Sequence, residues 1–374
     1  MMLPIKIAIS VNKCDSGGQK SLVMAYIRNF SSDRVKFDLI VDEDSNSIPF
    51  EEVKALGGDV HVVPPYQKIL SHMLALYKIY KRERYDVLYA ANNTMNIFPL
   101  FVAKMAGIKV RVSESLTTAS KLEKKKTLMK NVLKCFSHCF CNYFMANGIQ
   151  SAEYQFGKVF TQKGKVAIFL NPVDTEKNDF SPLLREETRK KFGWEDKVVY
   201  GTIARFEKQK NPLFLIDVMN EIKNRQENAH FVIIGIGSME QEMKAKIAEY
   251  GFGDKMSWLG RREDIRQFYN GFDAFLLPSL YEGFPIVGVE SQAAGLPVFF
   301  SDAITREAGI EELGHFIELS KSAKEWADII IPETALLMKS RRGRKSYLKQ
   351  NGFDAASEAE RLTRYFENAI NEQK

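Results

Sequence analysis

The sequence predicts an α/β protein of two Rossmann-like domains whose parallel sheets face each other across a cleft. Three observations carry this expectation. The chain has 374 residues, too many for one ordinary core at roughly 100–200 residues per domain. Short apolar runs alternate with longer helix-period segments almost from end to end, as in parallel sheets joined by crossover helices. The polar, proline-bearing stretch NPVDTEKNDFSPLLREE from Asn171 breaks that pattern, with turn formers and charges replacing the apolar period. The boundary is therefore expected near Val173–Ser181. Residues 1–172 form the first domain and residues 173–354 the second, and a last helix at about 355–374 packs back on the first.

Before residue 171 the runs KIAISV, VKFDLIV, DVHVV, DVLYAA, KVRVS, CFCNYFMA and KVAIFL read as strands. After it, VVYGTIA, FVIIG, MSWLG, DAFLLP, PVFFS and HFIEL do so, one sheet's worth for each half. The opening MMLPIKIAISV contains a lysine and runs into a Gly-Gly loop, which fits a buried first strand better than a signal peptide. No apolar run reaches the roughly 18 residues of a spanning helix. Hydrophobic content of 45% with 27% charged residues is that of a folded soluble chain and excludes a disordered one. The protein reads as cytoplasmic, peripheral at most on the inner face of the membrane.

Four cysteines agree with a reducing compartment. CFSHCFCNYF sets His138 among Cys135, Cys139 and Cys141, but no second ligand pair follows at finger spacing, and free cysteine is commonly a small core residue. The net charge of +6 is modest, and no nucleic-acid partner is expected. It is unevenly placed. KLEKKKTLMK puts Lys121, Lys124, Lys125, Lys126 and Lys130 in a helix with Leu122, Leu128 and Met129 between them. That run is either a solvated helix face or a peripheral contact with an anionic membrane. A second basic run, KSRRGRKSYLK at 339–349, reads as surface.

Ligands of open parallel sheets bind beyond the carboxyl ends of the strands, so candidate chemistry follows strands. In SVNKCDSGGQKS, Gly17 and Gly18 open a helix after the first strand. In PSLYEGFPIVGVESQAAGLPV, Pro278 to Val298, two glutamates stand in a nearly uncharged stretch. Gly283 and Pro285 force a turn there, and a helix runs on to about Ala294, its first backbone N–H groups forming an anion site suited to phosphate. Glu282 precedes that helix and Glu290 lies in its second turn, so both flank one ligand and can accept from the hydroxyls of a sugar or ribose. GTIARFEKQKN supplies Arg205, Lys208 and Lys210, a planar fork and two point charges for a diphosphate. LIVDED places Asp42, Glu43 and Asp44 after another strand, a pattern that suits a divalent ion. Because Arg205 and Lys210 already provide the charge, no metal and no other cofactor is expected. GIGSME lacks the third glycine of a dinucleotide fingerprint, which argues against an oxidoreductase.

The segments GTIARFEKQKNPLFLID, FVIIGIGSMEQE, WLGRREDIRQFYNGFDAFLLPSLYEGFPIVGVESQAAGLPV and IFLNPVDTEKNDF resemble the nucleotide-sugar half of the GT-B glycosyltransferases of family 4, in particular bacterial enzymes of exopolysaccharide and capsule assembly. The E-x7-E pair, here Glu282 and Glu290, is that family's signature. The first half carries the resemblance more thinly, in GGQKSLVMAYIRNF and MANGIQSAEYQFG. The resemblance implies a GT-B fold and a retaining enzyme. Such an enzyme transfers a hexosyl or N-acetylhexosaminyl group from a nucleotide-sugar, best taken as a UDP-sugar, to a saccharide or lipid-linked acceptor. It further implies that Arg205 and Lys210 bind the donor diphosphate, that Glu282 holds hydroxyls of the transferred sugar, and that Glu290 takes the ribose. Gly283 and the backbone of Phe284, Pro285, Ile286 and Val287 would meet phosphate, the loop of Arg261 and Arg262 would lie by the base, and Gly17 and Gly18 would belong to the donor site. Where many relatives carry a histidine near the acceptor, this chain reads VRVSESLTTAS, which leaves Glu114 as the acceptor-side candidate. A sugar-nucleotide epimerase of related architecture and a non-catalytic sugar-nucleotide-binding scaffold are the alternatives from other classes.

Overall fold

Each apolar run named above becomes a strand, and the strands assemble into two parallel sheets. The structure is a computed structural model that describes residues 4–15, 17–117, 132–134 and 136–373. The run Lys121–Lys130 and Cys135 lie outside the described residues. The chain divides into unit 1, Met1–Pro172 with Gly352–Lys374, and unit 2, Val173–Asn351.

Unit 1 holds β1 (Ile5–Val11), β2 (Val35–Asp42), β3 (Asp59–Val63), β4 (Val87–Ala90), β5 (Val110–Ser115), β6 (Tyr143–Ala146) and β7 (Ala167–Ile168), in the order β3-β2-β1-β4-β5-β6-β7. Its helices include α1 (Gly18–Ile27), α2 (Phe50–Ala55), α3 (Ile69–Glu83), α4 (Ile97–Ala106), α5 (Ile149–Phe156) and α6 (Lys158–Gln162). The central strands are apolar on both faces because both are covered. Ile7, Ile9 and Val11 pack with Leu22 and Tyr26 of α1, Val53 of α2, and Leu362 and Phe366 of the C-terminal helix Ala355–Glu372. Ala8, Ile40, Leu88 and Ala90 face the other way, onto Leu76 and Tyr80 of α3 and Leu100 and Ala103 of α4.

The C-terminal helix is capped by Asp354, which accepts from Ser357 N–H at 2.9 Å. Arg34 grips it at two points two turns apart, 2.7 Å from Glu360 and 2.7 Å from Glu367. These ion pairs are about one-third exposed and worth little beside the buried stripe of Leu362, Phe366 and Ala369, where each large side chain stabilises by roughly 1.5–3 kcal/mol.

Unit 2 holds β8 (Val198–Ile203), β9 (Ala229–Ile234), β10 (Met256–Trp258), β11 (Ala274–Leu277), β12 (Val298–Ser301) and β13 (Gly314–Ile317), ordered β10-β9-β8-β11-β12-β13. The strand order reverses between β8 and β11, as it does between β1 and β4 in unit 1. Such switch points open a crevice at the carboxyl ends of the strands.

The basic run at 339–349 is not simply surface. Arg344 is 5% exposed by side chain and pairs with Glu311 at 2.6 Å and with Glu312. Arg341 donates to the carbonyls of Tyr269, Phe272 and Ala294. His138 bonds to the Phe156 carbonyl at 3.0 Å and packs among Phe144, Phe156 and Phe160, and no metal-holding group of His, Cys, Asp and Glu occurs among the described residues. Among the described residues no helix is long and apolar enough to cross a membrane.

Glu114 is fully buried in β5, where it accepts from the Tyr89 hydroxyl while its Oε1 has no hydrogen-bond partner among the described residues. Burial pushes this carboxyl up from 4.5 to about 8. It is therefore neutral in the native protein across a window in which the unfolded chain has already lost its proton, so stability falls as pH rises from about 4.5 to about 8. Glu114→Gln is expected to remove that fall. In thermal melts its melting temperature should gain on the wild type between pH 5 and pH 8.5, whereas a pH-independent difference would contradict a neutral Glu114.

Candidate functional site

The site in unit 2 follows from its strand order. β8 and β11 are paired neighbours, with Tyr200 opposite Ala274, so their outgoing loops, 204–211 and 278–285, leave the sheet side by side. Gln209 stitches the two together. Its carbonyl accepts from Leu280 N–H at 2.8 Å, and its side-chain amide donates to the Tyr281 carbonyl at 2.9 Å and reaches Glu282 at 3.4 Å. Lys210 is thereby set against Glu282, Nζ to Oε1 2.5 Å, with the side chains only 19% and 7% exposed. Ser279 donates to the same carboxylate oxygen at 2.7 Å.

Asn211, at φ 53, turns the chain out of this loop and into the helix Pro212–Lys223, where proline at the first position is pre-shaped for the helix. On the loop's other side Glu207 accepts from Ser238 N–H at 3.2 Å and from its hydroxyl at 2.5 Å. Arg205 is exposed, and its side chain has no hydrogen bond or ion pair among the described residues, its carbonyl alone accepting from Glu207 N–H at 2.7 Å. Its planar fork is open to an incoming oxyanion.

Glu290 projects from the second turn of the helix Ile286–Ala293, and its Oε2 accepts from the Tyr269 hydroxyl at 2.8 Å. Burial pushes its carboxyl up to about 7, against the opposing pull of the Tyr269 bond and the Lys177 charge, although the residue keeps some exposed area. The helix lies tight on β12: a Cβ at Gly288 would come within 2.5 Å of the Phe300 ring. Arg341 holds the Ala294 carbonyl at its far end, a cation where the helix dipole is negative.

The start of this helix offers fewer free donors than expected for 284–287. Pro285 has no N–H, and Ile286 N–H is bonded to the Phe284 carbonyl at 3.1 Å. Gly288 and Val289 turn back to the Pro285 carbonyl. Val287 N–H is left without a hydrogen bond among the described residues and is the amide an anion would meet. Gly283 stands in the loop between Glu282 and the helix. Arg261 is exposed in the loop after β10, which is tied to the end of β9 by Gly235 N–H donating to the Gly260 carbonyl at 2.7 Å. Arg262 pairs with Asp264 at 2.5 Å.

Gly17 and Gly18 belong to unit 1, at the carboxyl end of β1 where α1 begins, and a Cβ at Gly17 would meet nothing within 4 Å. Glu114 is the candidate that the structure places elsewhere. Its carboxylate has no exposed area and cannot touch an acceptor arriving from solvent. In LIVDED, Asp42 is 1% exposed and burial pushes it up to about 7, while Asp44 pairs with Lys13 at 2.7 Å and Glu43 with Lys68 at 3.2 Å.

Ser279, Gln209, Tyr269 and Arg341 join the site without having been marked in the sequence. Gln209 and Ser279 lie inside the quoted loops, but an amide and a hydroxyl carry no distinguishing spacing. Tyr269 and Arg341 reach the site only through the packing of helices.

Two doubly wound parallel sheets, one with paired cationic and carboxylate loops at its switch point, define a GT-B fold. Crystal structures agree. Anabaena HepE in complex with UDP-glucose superposes with a TM-score of 0.77 at 18% identity, over 97% of this chain and 100% of that one. WaaG, named as a glycosyltransferase of lipopolysaccharide biosynthesis, gives 0.71 at 15% identity over 96% and 99%. Residues 185–345 match the family Glycosyl transferases group 1, and unit 2 is a domain of that family. EpsF of Bacillus subtilis (strain 168) is 28% identical over 351 residues, 91% of this chain and 90% of the relative. The UDP-Gal:alpha-D-GlcNAc-diphosphoundecaprenol alpha-1,3-galactosyltransferase of Escherichia coli is 27% identical over 243 residues, 63% and 62% of the two chains.

Removing Lys210 takes this cation from a buried carboxylate that Ser279 and Gln209 still bond. Lys210→Met is expected to lower unfolding free energy by about 1–3 kcal/mol, and Lys210→Met/Glu282→Gln to recover much of that loss in chemical denaturation. Two losses that simply add would show that the residues do not act as a pair.

Proposed function

We propose that the protein is a retaining glycosyltransferase that moves a hexosyl or N-acetylhexosaminyl group from a UDP-sugar to a saccharide or lipid-linked acceptor in surface polysaccharide assembly, without a metal. The observation that carries this reading is the Lys210–Glu282 pair standing before the helix that bears Glu290. It supplies a cation for a diphosphate and two carboxylates for two sets of hydroxyls. The HepE complex with UDP-glucose and the UDP-Gal donor and diphosphoundecaprenol-linked acceptor of the E. coli relative support it. The location is the inner membrane face, with Lys121–Lys130 as one peripheral contact.

In this reading the bond between the sugar's C1 and the phosphate oxygen breaks, and negative charge develops on the departing UDP. Arg205, Lys210 and Val287 N–H stabilise that charge where a metal otherwise would. Glu282, held by Lys210 and Ser279, accepts from the sugar's hydroxyls and fixes the orientation of C1. Glu290 accepts from the ribose. The acceptor hydroxyl bonds to C1 on the face the phosphate leaves, and its proton passes to the departing phosphate oxygen.

Two measurements test the assignment. By titration calorimetry, Glu290→Ala should weaken both UDP and UDP-sugar by about 10- to 100-fold, as expected for a lost charged hydrogen bond. Glu282→Ala should weaken mainly the UDP-sugar and slow turnover, and equal UDP affinity in wild type and Glu290→Ala would refute the ribose role. EDTA should leave acceptor-dependent UDP release unchanged. Loss of activity restored by Mn²⁺ would return attention to Asp42 and Asp44, and UDP release that needs no acceptor would contradict a transferase.

A further inference from the structure

The two sides of the unit 1 sheet are covered by layers that differ in charge balance. On one side, α1, α2 and the C-terminal helix carry both signs, with Glu51, Glu52, Glu360 and Glu367 beside Lys54, Arg361 and Arg364, and several of these acids are paired with arginines. On the other side lie α3, α4, α5 and α6. Strand alternation places these four helices together: Phe144 and Ala146 of β6 pack in the clusters of α3, α4 and α5, while Met145 between them faces the C-terminal helix. Phe101 of α4 also meets Phe140, at 5.0 Å between ring centroids, and His138 meets Phe160 of α6 at 4.6 Å.

This second layer carries large apolar side chains on its outside. Leu70 is 82% exposed and Leu74 55%, one turn apart on α3, whose core stripe is instead His72, Leu76 and Tyr80. Met105 on α4 is 58% exposed, Phe136 48% and Val159 on α6 66%. A groove of about 440 Å³ runs beside Val159, lined by His138, Phe156, Phe160, Lys158 and Lys163. The charged residues of these helices are mostly basic: Lys78, Lys81, Arg82, Lys104 and Lys158. Their acids are Glu83 and Glu153, and Glu83 is engaged by Lys6 and Arg82, each at 2.7 Å.

A helix with one apolar stripe in the core and a second in solvent has a further apolar phase to meet. The lysines select which. A second copy of this face would set like charges opposite one another, which opposes association. A surface of lipid phosphates complements them, and long basic side chains reach phosphates while their stems and neighbouring leucines enter the interface. We infer that the outer face of α3 to α6 is a docking surface for an anionic lipid bilayer, with Leu70 and Leu74 inserted and Lys78, Lys81 and Lys104 at the headgroups. This extends the peripheral location proposed above and stands on residues separate from Lys121–Lys130.

Sedimentation of the full chain with phosphatidylglycerol-containing vesicles, against phosphatidylcholine alone, tests it. The wild type is expected to bind the anionic vesicles, and Leu70→Ser/Leu74→Ser to lose about tenfold or more in partition, since two exposed leucines would no longer be buried. Lys78→Ala/Lys81→Ala should lower partition at about 0.1 M salt and have less effect at about 1 M, where charges are screened. The thermal shift caused by UDP should be the same in all three proteins. It reports the donor site alone, so that reading and this one fail separately. Equal partition of the wild type and the leucine variant would overturn the inference. So would a dimer, seen by sedimentation velocity, that the leucine changes dissolve.

Discussion

The ion pair between Lys210 and Glu282 is the interaction on which the candidate site depends. Its partners are 72 residues apart in sequence, and they meet only because β8 and β11 are neighbours in a parallel sheet whose strands end at the same edge. Taking both charges largely out of water is costly, and mutual attraction alone rarely offsets it. Here Ser279 and Gln209 add hydrogen bonds to the same carboxylate. The result is a cation and an anion held in fixed positions, so that little ordering would remain for the proposed binding of a diphosphate and a sugar.

A second arrangement fixes the helix Ile286–Ala293. Gly288 lets it sit against Phe300, Arg341 holds its last carbonyl, and Arg341 also binds the backbone of Tyr269, whose hydroxyl meets Glu290. One guanidinium thus sets both the helix and the partner of Glu290. Because three of its acceptors are backbone carbonyls, lysine in its place would lose the fork that spans them.

Much of this was legible in the sequence. Strands follow the apolar runs because strands covered on both faces need continuous apolar side chains, and the site loops follow strands because open parallel sheets place ligands there. Glu282, Glu290, Arg205 and Lys210 stand out as charges in or beside those loops. The failures have physical reasons. KSRRGRKSYLK reads as surface because arginine is usually exposed, yet Arg341 and Arg344 are drawn inward by carbonyls and by Glu311 and Glu312. Glu114 stands in the stretch where many relatives carry a histidine, but the alternation of Val110, Val112 and Glu114 places it on a core face, where it remains neutral. The donors at the helix start were counted from helix geometry in general. The tight bond from Ile286 to Phe284 removes one of them, and no residue type announces it.

The central claim is that charge fixed by the loops after β8 and β11, and not a metal, holds a sugar nucleotide. A crystal structure of the protein grown with UDP and Mn²⁺ tests it most directly. The account predicts β-phosphate oxygens at about 3 Å from Lys210 Nζ and Val287 N–H, the ribose hydroxyls on Glu290, and no manganese between protein and diphosphate. Manganese bridging the diphosphate to Asp42 or Asp44, with Lys210 and Glu282 still paired and away from the nucleotide, would contradict it.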